Sequence, residues 1–179
     1  MFSLRNLRVG IVGLGYVGLP LAFEFGKQFL TTGLDVEAGR IRELKAGRDR
    51  TREIDRAELK NATRLTLSSD VKYLRHCKVF IVTMPTLIDE YKRPDPKPRV
   101  RASKTVGTVL KKVVYESTAY PSCTEELCVP ILERASGLKF NRDFYASYSS
   151  ERINLGDKSH QSSIPHIASA LAELRGFDR

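Results

Sequence analysis

Short apolar runs alternate with amphipathic stretches along this chain, and a glycine-rich turn joins the first of each. That rhythm predicts an α/β fold with a doubly wound parallel sheet. A third observation sets its size: 179 residues, 41% of them apolar, bury one full core and make a single domain. Gly 12 and Pro 8 are near average counts, so neither a collagen-like nor a low-complexity chain is indicated. No stretch reaches the roughly 18 uninterrupted apolar residues of a membrane helix. The longest run, Val9 to Phe23, is broken by Gly10, Gly13, Gly15, Gly18 and Pro20. Arg5 and Arg8 ahead of it raise a signal peptide as a reading, but no small-x-small cleavage pattern follows and Glu24 closes the run. Cys77, Cys123 and Cys128 are odd in number and lack metal-ligand spacing, so we expect reduced thiols in a cytoplasmic protein.

The elements follow in order. Arg8 to Gly13 is an apolar run ending in glycine, the mark of a buried strand. Val17, Leu21, Phe25 and Phe29 then recur at spacing four, one face of a helix, with Pro20 in its tolerant first turn. Leu30 to Asp35 reads as a strand, Ala38 to Ala46 as a helix stopped by Gly47, and Arg48 to Arg56 as a polar loop. A short helix near Arg56–Ala62 and a short strand at Leu65–Leu67 come next. Ser69–Asp70 caps a helix to about His76. Lys78 to Thr83, β-branched and without polar alternation, is a strand buried on both faces. A Pro-rich loop to about Arg99 leads into a helix reaching Lys112, followed by a strand at Val113–Glu116. Thr124 to Ser136 is a helix ended by Gly137, and Phe144 to Tyr148 the last strand.

Gly13-Leu-Gly15-Tyr-Val-Gly18 is G-x-G-x-x-G, placed directly after the first strand and opening the first helix. In that setting Gly13 permits the tight turn, Gly15 lets a pyrophosphate approach the backbone, and Gly18 lets helix and strand pack closely. The helix start offers unpaired N–H groups and partial positive charge to phosphates. Asp35 ends the second strand, where a carboxylate accepts hydrogen bonds from a ribose diol and repels a 2′-phosphate. These features favour NAD over NADP and make the fold Rossmann-type. A flavin or a methyl donor is the competing use of such a loop. Arg40, five residues on, reads by its position as an exposed helix residue, with a cofactor contact as the alternative.

Charge is uneven. Lys+Arg 30 against Asp+Glu 21 gives +9, and the isoelectric point is near 9.6. Between Lys92 and Lys112 only Asp95 opposes the basic residues, yet no aromatic residues interleave with them, so a solvated face is expected and no nucleic acid partner.

Several separated motifs resemble the N-terminal part of the UDP-glucose/GDP-mannose dehydrogenase family. They are Ile11-Val-Gly-Leu-Gly-Tyr-Val-Gly-Leu-Pro-Leu-Ala22, Gly33-Leu-Asp35, Gly47-Arg-Asp-Arg-Thr51, Phe80-Ile-Val-Thr-Met-Pro-Thr86, Tyr115-Glu-Ser-Thr118 and Glu151-Arg-Ile-Asn154. The likeness is strongest to the branch oxidising UDP-N-acetylglucosamine or UDP-N-acetylgalactosamine for surface polysaccharides such as Vi antigen and O-antigen. It implies an NAD-dependent UDP-sugar 6-dehydrogenase. It further implies that Gly13, Gly15, Tyr16, Val17, Gly18, Asp35, Arg40 and Thr86 contact NAD, with Thr118 and Glu151 beside the nicotinamide in assisting catalytic roles. A nucleotide sugar is the implied substrate, and no membrane partner is expected.

In that family the sugar 6-hydroxymethyl becomes a carboxylate in two hydride transfers to successive NAD molecules. A cysteine thiolate in a C-terminal G-G-x-C segment captures the intermediate. This sequence has no G-G-x-C, so it reads as truncated relative to the family and is expected to bind cofactor without turning over. A non-catalytic nucleotide-binding remnant or regulatory domain is the alternative. Ser122, Ser150 and Leu155 stand where the family has Gly, Pro and Pro, and Lys112 runs directly into Val113 where relatives place about three more residues. The helix therefore ends earlier, near Gly107, or the strand is shortened. Residues 1–157 are expected to form the NAD-binding domain. Residues 158–179, where the motif likeness ends, are expected to form an atypical tail, with Ile164 to Phe177 helical, as after a frame change or premature end of the coding sequence.

Overall fold

The computed structural model describes residues 7–84, 87–88, 94–109, 113–116 and 123–149. Its strands are β1 Arg8–Val12, β2 Leu30–Leu34, β3 Leu65–Ser68, β4 Val79–Val82, the two-residue β5 Leu87–Ile88 and β6 Pro94–Asp95, β7 Val113–Glu116 and β8 Ala146–Ser149. Six of them form one sheet in the order β3-β2-β1-β4-β7-β8, with every pairing parallel. β5 and β6 pair antiparallel outside it. The helices are α1 Gly18–Gln28, α2 Ala38–Lys45, α3 Arg56–Leu59, α4 Lys97–Gly107 and α5 Val129–Ser136.

Side-chain alternation places two cores on the two faces of the sheet. Val9 and Ile11 of β1 and Val79 and Ile81 of β4 join Leu21, Phe25 and Ile41 from α1 and α2. Val12, Phe80 and Val82 face the other way, against Val106 of α4 and Leu132 of α5. All four residues of β4 are buried, as its unbroken apolar run predicts. The strand order reverses at β1, between β2 and β4, so the carboxyl ends of those strands frame the crevice in which open parallel sheets bind ligands.

Several boundaries differ from the sequence expectation. Helix α4 begins at Lys97, inside the stretch read as a Pro-rich loop, because Pro98 sits in the first turn where its missing N–H costs nothing. It ends at Gly107 and not Lys112, so residues 108–112 separate it from a β7 that pairs on both edges. Val71–His76 is a 3-10 helix, capped as expected by Asp70, whose carboxylate accepts from the Lys72 N–H. The helix after Cys123 opens with a π-helical turn, Thr124–Cys128, and closes on Gly137 in the left-handed conformation. Phe144 lies outside β8; it bridges Phe140 and is fully buried. The tail expected beyond residue 157 lies outside the described residues.

Candidate dinucleotide site

The loop between β1 and α1 is held from three sides. Gly13 has φ +99°, and a Cβ there would come within 2.6 Å of the Thr83 carbonyl oxygen. A Cβ on Gly18 would stand 1.8 Å from the Gly13 carbonyl oxygen and 2.3 Å from Thr83 Oγ1. Only glycine lets the helix start this close to the strand it leaves. Gly15 is different. It is exposed, its φ is not left-handed, and a Cβ there would meet nothing within 4 Å. The protein's own packing gives no reason for a glycine at that position, whereas a ligand lying against the backbone does.

The start of α1 is not neutralised by its own side chains. Val17 at the cap provides no side-chain hydrogen bond, and the first turn holds no acidic residue. The helix dipole and its early N–H groups thus face the open space beside Gly15. Tyr16 is half exposed there and Val17 partly buried.

Asp35 follows the last residue of β2 and its carboxylate is anchored to this loop. Oδ2 accepts from the Leu14 N–H at 2.9 Å, and Oδ1 accepts from the Glu37 N–H at 2.9 Å. Each oxygen keeps a lone pair for a further donor such as a ribose hydroxyl.

Arg40 is not the exposed helix residue that its position in the sequence suggested: it is 3% exposed. Its Nε donates to the Leu14 carbonyl at 2.9 Å, and Nη2 lies 2.7 Å from Asp49 Oδ1. Nη1 is buried and has no hydrogen-bond partner among the described residues. A guanidinium taken out of water needs a paired carboxylate, and Asp49 supplies it.

Two contributors escaped the sequence reading. Asp49, in a polar loop where the Gly47–Thr51 motif gave it no role of its own, has a side chain only 1% exposed. It accepts from the Thr51 hydroxyl and N–H and from the N–H groups of Glu53 and Ile54. Burial alone would raise its pKa, but the bonds from Thr51 and Arg40 and the backbone N–H groups outweigh it and hold the carboxyl below 3.8. The signal was Asp49 two residues before Thr51, an Asx-turn pattern. The other is Thr83, directly after β4. Its buried hydroxyl lies 2.8 Å from the Gly13 carbonyl and 3.1 Å from that of Val12, tying the glycine loop to the next strand. It lies in the Phe80–Thr86 motif, which singled out Thr86 and gave Thr83 no role.

The structure therefore gathers Gly13, Gly15, Tyr16, Val17, Gly18, Asp35 and Arg40 at one crevice. Thr86, Thr118 and Glu151 lie outside the described residues. Cys77, Cys123 and Cys128 are buried and form no disulfide, and Arg99 Nη1 donates to Cys123 Sγ at 3.3 Å.

A parallel sheet with this strand order, a glycine turn at its switch point and a carboxylate ending β2 define a dinucleotide-binding α/β domain. Residues 7–166 match the UDP-glucose/GDP-mannose dehydrogenase family, NAD binding domain. The chain belongs to that family and supplies its NAD-binding domain. It is 56% identical to UDP-N-acetyl-D-glucosamine 6-dehydrogenase of Pseudomonas aeruginosa, over 96% of this chain and 42% of that protein. It is 53% identical to the Salmonella typhi protein of the same name, over 97% of this chain and 43% of that one. Among solved structures, UDP-D-ManNAc dehydrogenase from Pyrococcus horikoshii superposes with TM-score 0.77 at 32% identity, covering 84% of this chain and 37% of that one. The chain thus spans about two fifths of the length of these relatives. The family match also runs to residue 166, past Lys158 where the motif likeness ends.

Proposed function

We propose that this chain holds NAD for a UDP-N-acetylhexosamine 6-dehydrogenase, with the diphosphate against Gly13–Gly18 and the adenine-side ribose on Asp35. The observation that carries this reading is Gly15, a glycine that the protein's packing does not require, beside an uncapped helix start. The main-chain N–H groups at the start of α1 receive the phosphate charge, and Tyr16 and Val17 border it. Asp35 takes the ribose diol and, being anionic, disfavours a 2′-phosphate. Arg40 acts through the Leu14 carbonyl, which fixes the loop beside the cofactor.

NAD supplies the hydride acceptor for oxidation of the sugar 6-hydroxymethyl. On this reading Thr86 is a further NAD contact, and Thr118 and Glu151 belong to the nicotinamide end, where they assist the reaction. The identity with the P. aeruginosa and S. typhi proteins supports the UDP-N-acetylglucosamine type of substrate. The nucleophilic cysteine of the family motif is not in this sequence, and three buried thiols do not replace it. The 179-residue chain is accordingly expected to bind NAD and to form no NADH with UDP-N-acetylglucosamine or its galacto epimer. Steady NADH production by the purified chain with either sugar would overturn this.

A further inference from the structure

The second half of the sheet's surface shows a feature that the cofactor does not use. On the face carrying the 3-10 helix, a groove of about 400 Å³ lies between that helix and β1–β3. Four basic side chains line it: Arg8 from the first position of β1, Arg64 from just before β3, and Lys72 and His76 from successive turns of the 3-10 helix. No acidic residue lines it, and among the described residues none of the four is ion-paired. Arg64 Nη1 donates to the Gln28 carbonyl at 2.6 Å, which fixes that guanidinium at the rim.

Folding brings Arg8 together with Arg64 and Lys72, and His76 beside them, around one concavity that no acidic residue lines. Like charges gathered in a groove focus a positive potential that an anion relieves. The groove also carries apolar surface. Leu30 is 50% exposed and Tyr73 55%, both large side chains left open to water. An aromatic face beside clustered cations suits a base or other flat group attached to phosphate. Arg8 stands at the amino end of β1 and the glycine loop at its carboxyl end, five residues or roughly 16 Å away, so this is not the dinucleotide crevice.

We infer that this groove is a second anion site, for a nucleoside phosphate, with phosphate on Arg8, Arg64, Lys72 and His76 and the base against Tyr73 and Leu30. The volume lies within the range of small-ligand sites.

Backbone amide NMR on the NAD-saturated chain tests it, with ADP, inorganic pyrophosphate and adenosine as probes. The groove has its own resonances, so the outcome does not depend on whether NAD binds as proposed above. Saturable shifts at Thr66, Lys72, Tyr73 and His76 are expected with ADP, weaker ones with pyrophosphate and none with adenosine. Lys72→Glu should weaken ADP at least fivefold. Lys104→Glu, an exposed lysine on α4 with the same change in net charge, should alter it less than twofold. Tyr73→Ala should bring ADP down to the affinity of pyrophosphate. Equal loss in the Lys72 and Lys104 variants would mean diffuse charge and overturn the site. Equal binding of ADP and pyrophosphate in the unaltered chain would overturn the nucleoside part. A DNA oligonucleotide that binds more tightly than ADP and also moves Arg101 and Lys104 would mark a nucleic-acid face instead and overturn the proposal.

Discussion

At Gly15 and Gly18 one motif separates into two physical roles. A methyl group on Gly18 would collide with the Gly13 carbonyl and Thr83, so Gly18→Ala should destabilise the fold by about 1–3 kcal/mol and weaken NAD binding as well. Gly15→Ala meets no protein atom and should leave the ligand-free melting temperature unchanged while weakening NAD. Asp49 gives a stability prediction of another kind. Removing one partner of a buried ion pair leaves the other uncompensated, so Asp49→Ala should cost about 3–5 kcal/mol in chemical denaturation. Its pH dependence has a definite sign. The folded carboxyl is held below the unfolded value near 3.8, so this stabilisation is complete above that value and lost as pH falls through the lower, folded pKa. Urea midpoints measured downward from pH 5 should therefore fall more steeply for the unaltered chain than for Asp49→Asn. Parallel slopes would contradict the assignment. At this scale the glycines and Asp35 were legible in sequence because each answers to a local backbone rule. The burial of Arg40 and Asp49 was not, because a salt bridge between residues nine apart depends on how the loop after α2 folds back.

Among the elements, those with strong periodicity were readable and those dominated by charge were not. β4 was found because four consecutive buried apolar residues admit little else. The start of α4 was missed because Lys97, Arg99 and Arg101 hide its apolar stripe, and three prolines suggest a loop. The antiparallel pair β5–β6 has two residues a side, too few to leave a pattern. Packing of α4 and α5 on the sheet is the element-level claim most open to test. Leu132 is fully buried in the second core, and Leu132→Ala should cost about 2–5 kcal/mol. A cost under 1 kcal/mol by denaturant titration would show that α5 does not pack there.

For the whole molecule, two properties follow from the assembled fold. All three cysteines are buried thiols outside any disulfide, and burial pushes the Cys77 thiol up, so thiol reagents should label none of them until the chain unfolds. Rapid labelling of a native thiol would contradict the packing of the sheet's second face. A ligand that binds only the folded chain must also raise its stability. At a hundred times its dissociation constant, NAD should add about 2.7 kcal/mol, roughly 5–10 °C in melting temperature for a domain this size. With the ribose placed on Asp35 as proposed, NADP should add much less. No helix among the described residues is long and apolar enough to cross a membrane.

The most direct measurement is calorimetric titration of NAD into the unaltered chain and into Gly15→Ala, with both ligand-free melting temperatures recorded. The expected result is one saturable site in the first, at least tenfold weaker binding in the second, and equal melting temperatures. Absence of binding heat from the folded unaltered chain, or equal affinity in the two, would contradict the placement of the diphosphate on this loop.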